Sequence, residues 1–214
     1  MILFYFAGHD TSSRAISSLI YFVKKKPEVY KKCWDEIKRV LDVTDQTKIA
    51  DLINVGKLDG LDYLSYVVKE TLRYDNPASV SLGYKALDDI KIWGVPIPKD
   101  SKMFLNIHAT HYNPTEWQEP EEFIPERFDP ESKYFGPPPG SAYKIRSPLA
   151  HIPFSFGPRI CAGKSLATLE IKTVVVYLLM KFDYEIDPEH VKNKYVRFGA
   201  GTQFTNKVKI TKLH

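Results

Sequence analysis

Hydrophobic residues recur at helical spacing along the opening of the chain, first from Met1 to Lys25 and again beyond Pro27. In the second stretch Val29, Trp34, Ile37, Val40 and Leu41 roughly keep the period, and Pro27 fits a helix start. Residues 61 to 73 predict a further helix, and Gly163 to Met180 another. From Val80 to Ile107 short β-prone runs alternate with the turn residues Gly94, Pro96, Pro98 and Asp100, which predicts a small sheet. Tyr195 to Leu213 reads as a terminal hairpin turning near Gly199, Ala200 and Gly201. Between these elements, Pro114 to Pro158 carries ten prolines and little regular period. A loop of that length inside a compact domain points to a functional role.

This order of elements predicts a mainly α chain with small β-sheets, an α+β class. A 43% hydrophobic content over 214 residues is enough for a real core. The apolar run Val174 to Met180 is bracketed by Lys172 and Lys181 and is too short to cross a bilayer, so it predicts a core helix. Met1 to Ala7 lacks the basic leader of a signal peptide and runs at once into His9, Asp10 and Arg14. The first helix starts at residue 1 with hydrophobic residues and no capping residue before it, so the chain reads as cut from a longer one. The net charge of +4 gives no strong field for nucleic acid.

The chemistry centres on a cysteine. Cys33 and Cys161 share no framework spacing, which predicts reduced thiols in a non-oxidising compartment. Cys33 reads as a small buried hydrophobe. Cys161 stands just ahead of a predicted helix, where terminal amides and the helix dipole favour a thiolate. Gly157 permits a tight turn and close approach by a flat ligand, and Arg159 carries a fixed charge able to pair with a carboxylate. A zinc site is disfavoured, because no second cysteine lies near and His108 and His111 lack further ligands at useful spacing. A cysteine nucleophile stays open, although no residue is marked as its histidine base.

The pattern Phe154-x-x-Gly157-x-Arg159-x-Cys161-x-Gly163 resembles the haem-binding signature of the cytochrome P450 family at every fixed position. Three further motifs follow the family's order. The segment Ala7 to Thr11 resembles the oxygen-binding stretch of its long distal helix, with Gly8 leaving room for a diatomic ligand and Asp10 and Thr11 delivering protons. His9 fills a variable place there and reads as structural or pocket-lining. Glu70 and Arg73 resemble the family's Glu-x-x-Arg pair, one helical turn apart. Arg127, in the segment Pro125 to Phe128, is expected to join them in a buried charge network. The approach from Asn106 to Phe128 is also similar, with one departure: Tyr112 stands where an arginine commonly follows the histidine.

The resemblance covers residues 1–214 as a partial domain, the C-terminal half of the fold, of the eukaryotic microsomal type. It implies haem b (iron protoporphyrin IX) held by the Cys161 thiolate, with Arg159 facing a propionate. The implied reaction inserts one atom of molecular oxygen into a small apolar organic substrate. Ala78, Ser79 and Val80, with the hairpin tip from Gly199 to Thr202, are expected to line the pocket; residues 78 to 81 read equally well as an ordinary strand entry. Electrons are expected from an NADPH-dependent flavoprotein reductase or an iron-sulfur donor, docking on a basic face made by Lys164, Lys172 and Arg146. The implied location is the cytosolic face of the endoplasmic reticulum membrane, with membrane contact only through an N-terminal anchor absent from these residues. The alternative is a truncated, non-catalytic haem-binding or interaction fragment of the same family.

Overall fold

The computed structural model describes residues 2–42, 53–142, 144–187, 196–198, 201–203 and 208–212. Four longer helices form its core: α1 (Ile2–Lys25), α2 (Pro27–Leu41), α4 (Asp62–Tyr74) and α6 (Lys164–Lys181), with short helices α3 (Val55–Asp59) and α5 (Ile107–His111) between them. Each long helix turns an apolar stripe inward. Ala15, Leu19 and Val23 of α1 meet Cys33 and Ile37 of α2, Leu64 and Val67 of α4, and Ile171, Val175 and Leu179 of α6 in one buried cluster. Cys33 is thus a core residue, and desolvation pushes its thiol pKa far upward.

Local rules set the helix ends. Pro27 opens α2 at a position whose amide needs no partner, and Asp42 closes it in the left-handed region at φ 53°. The start of α4 has no side-chain cap from its own N-cap residue, Leu61. The cap comes from another helix: the Glu36 carboxylate of α2 accepts from the Tyr63 amide at 2.8 Å and the Leu64 amide at 2.9 Å. Sequence spacing gave no hint of this distant cap.

Four antiparallel strand pairs complete the description. β1 (Tyr84–Lys85) pairs with β4 (Lys102–Met103), and β2 (Ile90–Ile92) with β3 (Val95–Ile97), within the span expected to hold a small sheet. β6 (Val196–Phe198) pairs with β7 (Gly201–Gln203), as expected of the terminal hairpin; its turn residues Gly199 and Ala200 lie outside the described residues. The hairpin does not extend to the end of the predicted span. β8 (Val208–Lys212) instead pairs with β5 (Phe182–Ile186), a strand that the reading of the sequence missed although Phe182, Tyr184 and Ile186 alternate at period two. Burial explains the choice: Tyr184 is 4% exposed and its hydroxyl donates to the Ile20 carbonyl of α1 at 2.9 Å, which docks the pair on the helical core.

The proline-rich span from 114 to 158 is irregular apart from single 3-10 turns, one of them at Pro125–Phe128, and this turn packs against α4. Replacing Glu36 by Ala is expected to leave the first amides of α4 uncapped and cost about 1–2 kcal/mol, read as a lower denaturation midpoint with an unchanged m-value.

Candidate functional site

Glu70 and Arg73 lie on the buried face of α4, one turn apart, and neither side chain is exposed at all. Their ion pair is bidentate: Arg73 Nε donates to Glu70 Oε2 at 2.8 Å and its Nη2 to Oε1 at 2.9 Å. Arg127, from the 3-10 turn of the long loop, adds an Nε bond to Oε1 at 3.2 Å, and the Ile124 amide donates to the same oxygen at 2.8 Å. The remaining guanidinium protons go to loop carbonyls. Arg73 reaches those of His111, Pro120 and Glu122, and Arg127 those of Gln118, Glu119 and Glu122. Two cations around one carboxylate leave an excess of positive charge, and desolvation lowers the Arg127 pKa against the pull of Glu70.

Aromatic rings absorb part of that excess. The Arg73 guanidinium lies 5.3 Å from the centroid of the fully buried Trp117, whose ring also carries Arg146 at 4.0 Å. Tyr112 belongs to the same shell: its ring is 5.3 Å from Arg73, and its hydroxyl donates to the Tyr74 carbonyl at 2.5 Å. The departure from arginine at this position therefore brings an aromatic face toward the network in place of a further cation.

Arg146 is a correction to the predicted docking face. Its guanidinium donates to the carbonyls of Glu116, Arg127, Tyr134 and Gly136, so it braces the loop from inside, and desolvation pushes its pKa down to about 10. Lys172 is also removed from that face, because it is 7% exposed and donates to the Leu58 carbonyl at 3.0 Å. Only Lys164 of the three is exposed.

Three consecutive residues carry the network's position toward the cysteine. His151 Nε2 lies 3.1 Å from the Lys69 carbonyl of α4, the Ile152 amide donates to His111 Nε2 at 3.0 Å, and Asn76 Nδ2 donates to the Pro153 carbonyl at 3.3 Å. None of His111, His151 and Asn76 was marked in the sequence for this role. In the sequence His111 is set aside as a zinc ligand and otherwise reads as part of the approach to the long loop; among the described residues no group of three or more potential ligands includes it.

Beyond Pro153 the loop is drawn into a narrow shape. Ser155 and Gly157 both take positive φ, 63° and 72°, and the Cys161 amide closes the loop onto the Phe154 carbonyl at 3.0 Å. A Cβ on Gly157 would meet no atom within 4 Å, so its backbone angle, not crowding, calls for glycine. Gly163 is the N-cap of α6, and the Lys164 amide donates to the Cys161 carbonyl at 3.3 Å. Cys161 itself is exposed, as are Phe156, Arg159 and Ile160 around it. Arg159 forms no salt bridge among the described residues. A flat prosthetic group needing one thiolate ligand and a cationic partner for a carboxylate fits this surface: the thiol is open, the flanking backbone carries no obstructing side chain at Gly157, and the arginine is unspent. A multi-ligand metal centre does not, since no group of three or more His, Cys, Asp or Glu side chains that would hold one occurs among the described residues.

The oxygen-binding motif lies on the first turns of α1, where residues 5 to 9 and Thr11 are exposed. Thr11 donates its hydroxyl proton to the Ala7 carbonyl at 2.7 Å, and Asp10 pairs with Arg14 at 3.2 Å. No atom lies within 4 Å of where a Cβ on Gly8 would stand. Ala78, Ser79 and Val80 follow α4 in an extended run. The Ala78 amide bonds the Asn76 side chain at 3.0 Å, Ser79 accepts from the His108 amide at 3.1 Å, and Val80 makes an antiparallel bridge with Asn106. These backbone bonds have the form of a strand entry, with Val80 37% exposed.

The sequence profile of the cytochrome P450 family matches residues 1–210. Cytochrome P450 4F4 of Rattus norvegicus is 36% identical over 191 residues, which cover 89% of this chain and 34% of that protein. The ultra-long-chain fatty acid omega-hydroxylase of Homo sapiens is 35% identical over 185 residues, 86% of this chain and 32% of the relative. Among solved structures, the retinoic acid bound cyanobacterial CYP120A1 aligns with a TM-score of 0.82 at 26% identity, covering 99% of this chain and 45% of the other. The chain thus spans about a third of the length of the curated relatives it matches.

Glu70→Gln and Arg73→Ala each strand buried charge and are expected to destabilise the fold by about 3–5 kcal/mol. Arg73→Lys is expected to restore little of this, because an ammonium cannot make the bidentate pair; thermal unfolding checks both. A pH effect follows from His111, whose pKa is pushed down from 6.5 to about 3, first by burial and then by Arg73, with His108 adding to the shift. The folded state holds it neutral while the unfolded chain takes up a proton below 6.5, so its contribution is full above 6.5 and is lost as pH falls toward the folded value. Stability is expected to fall by up to about 1.4 kcal/mol per pH unit on this account, and urea titrations at stepped pH check it. His151, also pushed well below its usual range by burial and by His111, adds to the same slope.

Proposed function

Because the chain belongs to the cytochrome P450 family, we propose that it supplies the haem-thiolate and proton-delivery half of an oxygen-inserting monooxygenase, with Cys161 as the iron ligand. The observation that carries this reading is the exposed Cys161, presented where a loop tied to α4 closes and α6 begins. Haem, when bound, supplies oxygen activation, and a thiolate ligand pushes electron density that favours O–O cleavage. The chain's own residues do the rest. Gly157 turns the backbone with no side chain to obstruct a flat group, Phe154 fixes the cysteine through its carbonyl, Gly163 starts α6 without a side chain, and Arg159 would neutralise a propionate of the bound group.

On the distal helix, Gly8 leaves open space, and Thr11 holds a proton on a hydroxyl anchored to the Ala7 carbonyl. Asp10, half exposed and paired with Arg14, exchanges protons with solvent and passes them along. Ala78, Ser79 and Val80 line the substrate side with small groups. One relative is named for omega-hydroxylation of ultra-long-chain fatty acids, so a substrate with a long apolar chain fits the same class. Electrons come from an NADPH-dependent flavoprotein reductase, with an iron-sulfur donor as the other source, approaching the side that carries exposed Lys164. No helix among the described residues is long and apolar enough to cross a membrane; residence at the endoplasmic reticulum is proposed on the resemblance of the motifs to eukaryotic microsomal members of the family.

The exposure of residues 5 to 9 of α1 favours a second reading, in which the chain binds haem or a partner without turning over substrate. One measurement separates haem ligation from its absence. Reconstituted with haem, reduced and exposed to carbon monoxide, the chain is expected to show the red-shifted Soret band of thiolate ligation. Cys161→Ser is expected to abolish that band, and Cys33→Ser to leave it in place with lower thermal stability. A band that survives Cys161→Ser refutes the assignment. Addition of reductase, NADPH and a fatty acid then distinguishes turnover from binding alone.

A further inference from the structure

One histidine connects the buried charge network to the cysteine loop. His111 ends α5 with no exposed surface. Its carbonyl accepts from Arg73 Nη1 at 2.9 Å, which fixes its backbone to the Glu70 cluster. Its ring accepts the Ile152 amide through Nε2 at 3.0 Å, and Ile152 leads by two residues to Phe154, whose carbonyl holds the Cys161 amide.

The chemistry of the partners assigns the protons. An amide N–H only donates, so His111 Nε2 carries no proton and Nδ1 does. The neighbouring ring has the opposite tautomer: His151 Nε2 faces the Lys69 carbonyl, which only accepts, so that nitrogen is the donor. The two rings stack with centroids 5.4 Å apart, so each limits the other's rotation. His111 Nδ1 is buried, and the Leu72 and Arg73 backbone of α4 lies near enough to interact with the ring. An apolar ring of similar shape would fill the same space but leave the buried Ile152 amide without its acceptor. The histidine is retained where its acceptor nitrogen is needed.

We propose that His111 is a positioning residue whose unprotonated Nε2 sets the register of the cysteine-bearing loop against the Glu70–Arg73–Arg127 network. It touches neither the haem nor the substrate, and its effect on ligation rests on the reading of Cys161 as the iron ligand. Breaking the bond leaves the Ile152 amide buried and free, and the segment from Ile152 to Cys161 gains a hinge at its start. Asn76 on Pro153 and His151 on Lys69 then hold it alone.

The test compares His111→Phe, which keeps a ring and removes the acceptor, with His111→Gln, whose side-chain oxygen reaches the Nε2 position. In the full chain, exchange of the Ile152 amide is expected to quicken about tenfold in His111→Phe and to return near the wild-type rate in His111→Gln. After haem is added, the thiolate-type band of the reduced carbon monoxide complex is expected to lose intensity in His111→Phe and recover it in His111→Gln. Leu58→Ala, a core change remote from the loop, serves as the control at matched loss of Tm. If it lowers the band as far as His111→Phe does, or if Ile152 exchanges equally in wild type and His111→Phe, the proposal is overturned. Should neither variant fold, the wild-type ring nitrogen shifts decide it: an unprotonated Nε2 supports the tether and a protonated one refutes it. A wild type that protects Ile152 but gives no thiolate band refutes the haem reading and leaves the tether standing.

Discussion

The cysteine-bearing side of this chain hangs from one buried carboxylate. Glu70 has no exposed surface, and it accepts from two guanidinium groups and a loop amide at once. Such a carboxylate is expensive to bury and holds its position only while every lone pair is occupied. That requirement explains why a span with ten prolines and almost no regular structure keeps one conformation. Its backbone carbonyls are the acceptors that the guanidinium protons of Arg73 and Arg127 require, so loop and helix satisfy each other.

The arrangement also solves a charge problem. Arg73, Arg127 and Arg146 converge on a region whose one fully buried acid is Glu70, and aromatic faces take up part of the surplus. Trp117 lies between two of the guanidinium groups, and Tyr112 presents its ring to one of them. Each arginine ends its donors on carbonyl oxygens rather than on further acids. The network therefore gains directional constraint from many hydrogen bonds without adding further buried carboxylates.

From this base the order runs outward to the exposed thiol. Hydrogen bonds of the His151 ring to the Lys69 carbonyl of α4, of the Ile152 amide to the His111 ring of α5, and of the Pro153 carbonyl to the Asn76 side chain set the near end of the cysteine loop. Positive φ angles at Ser155 and Gly157 narrow it, and the start of α6 sets its far end. A side chain held at both ends of a short loop keeps its direction while staying open on one side, which suits the proposed role of Cys161 toward a planar group.

How much of this was legible depended on range. Helical periodicity located α1, α2, α4 and α6 to within a residue or so, because each carries its own apolar stripe, and the spacing of Phe154, Gly157, Arg159, Cys161 and Gly163 marked the loop because its turn chemistry is local. Glu70 and Arg73 were legible as a pair one turn apart, and Arg127 as a motif, although nothing in their spacing required them to meet. Only the tertiary structure decided what depends on residues far apart in the chain. It gave Glu36 the role of a cap for α4, moved Arg146 and Lys172 from the surface to the interior, paired β8 with β5, and made His111 a link between two segments. The physical reason is common to all of these. A polar group's partner is chosen by burial, where an unpaired donor or acceptor is costly, and burial belongs to the packed chain, whereas periodicity and turn chemistry belong to the sequence itself.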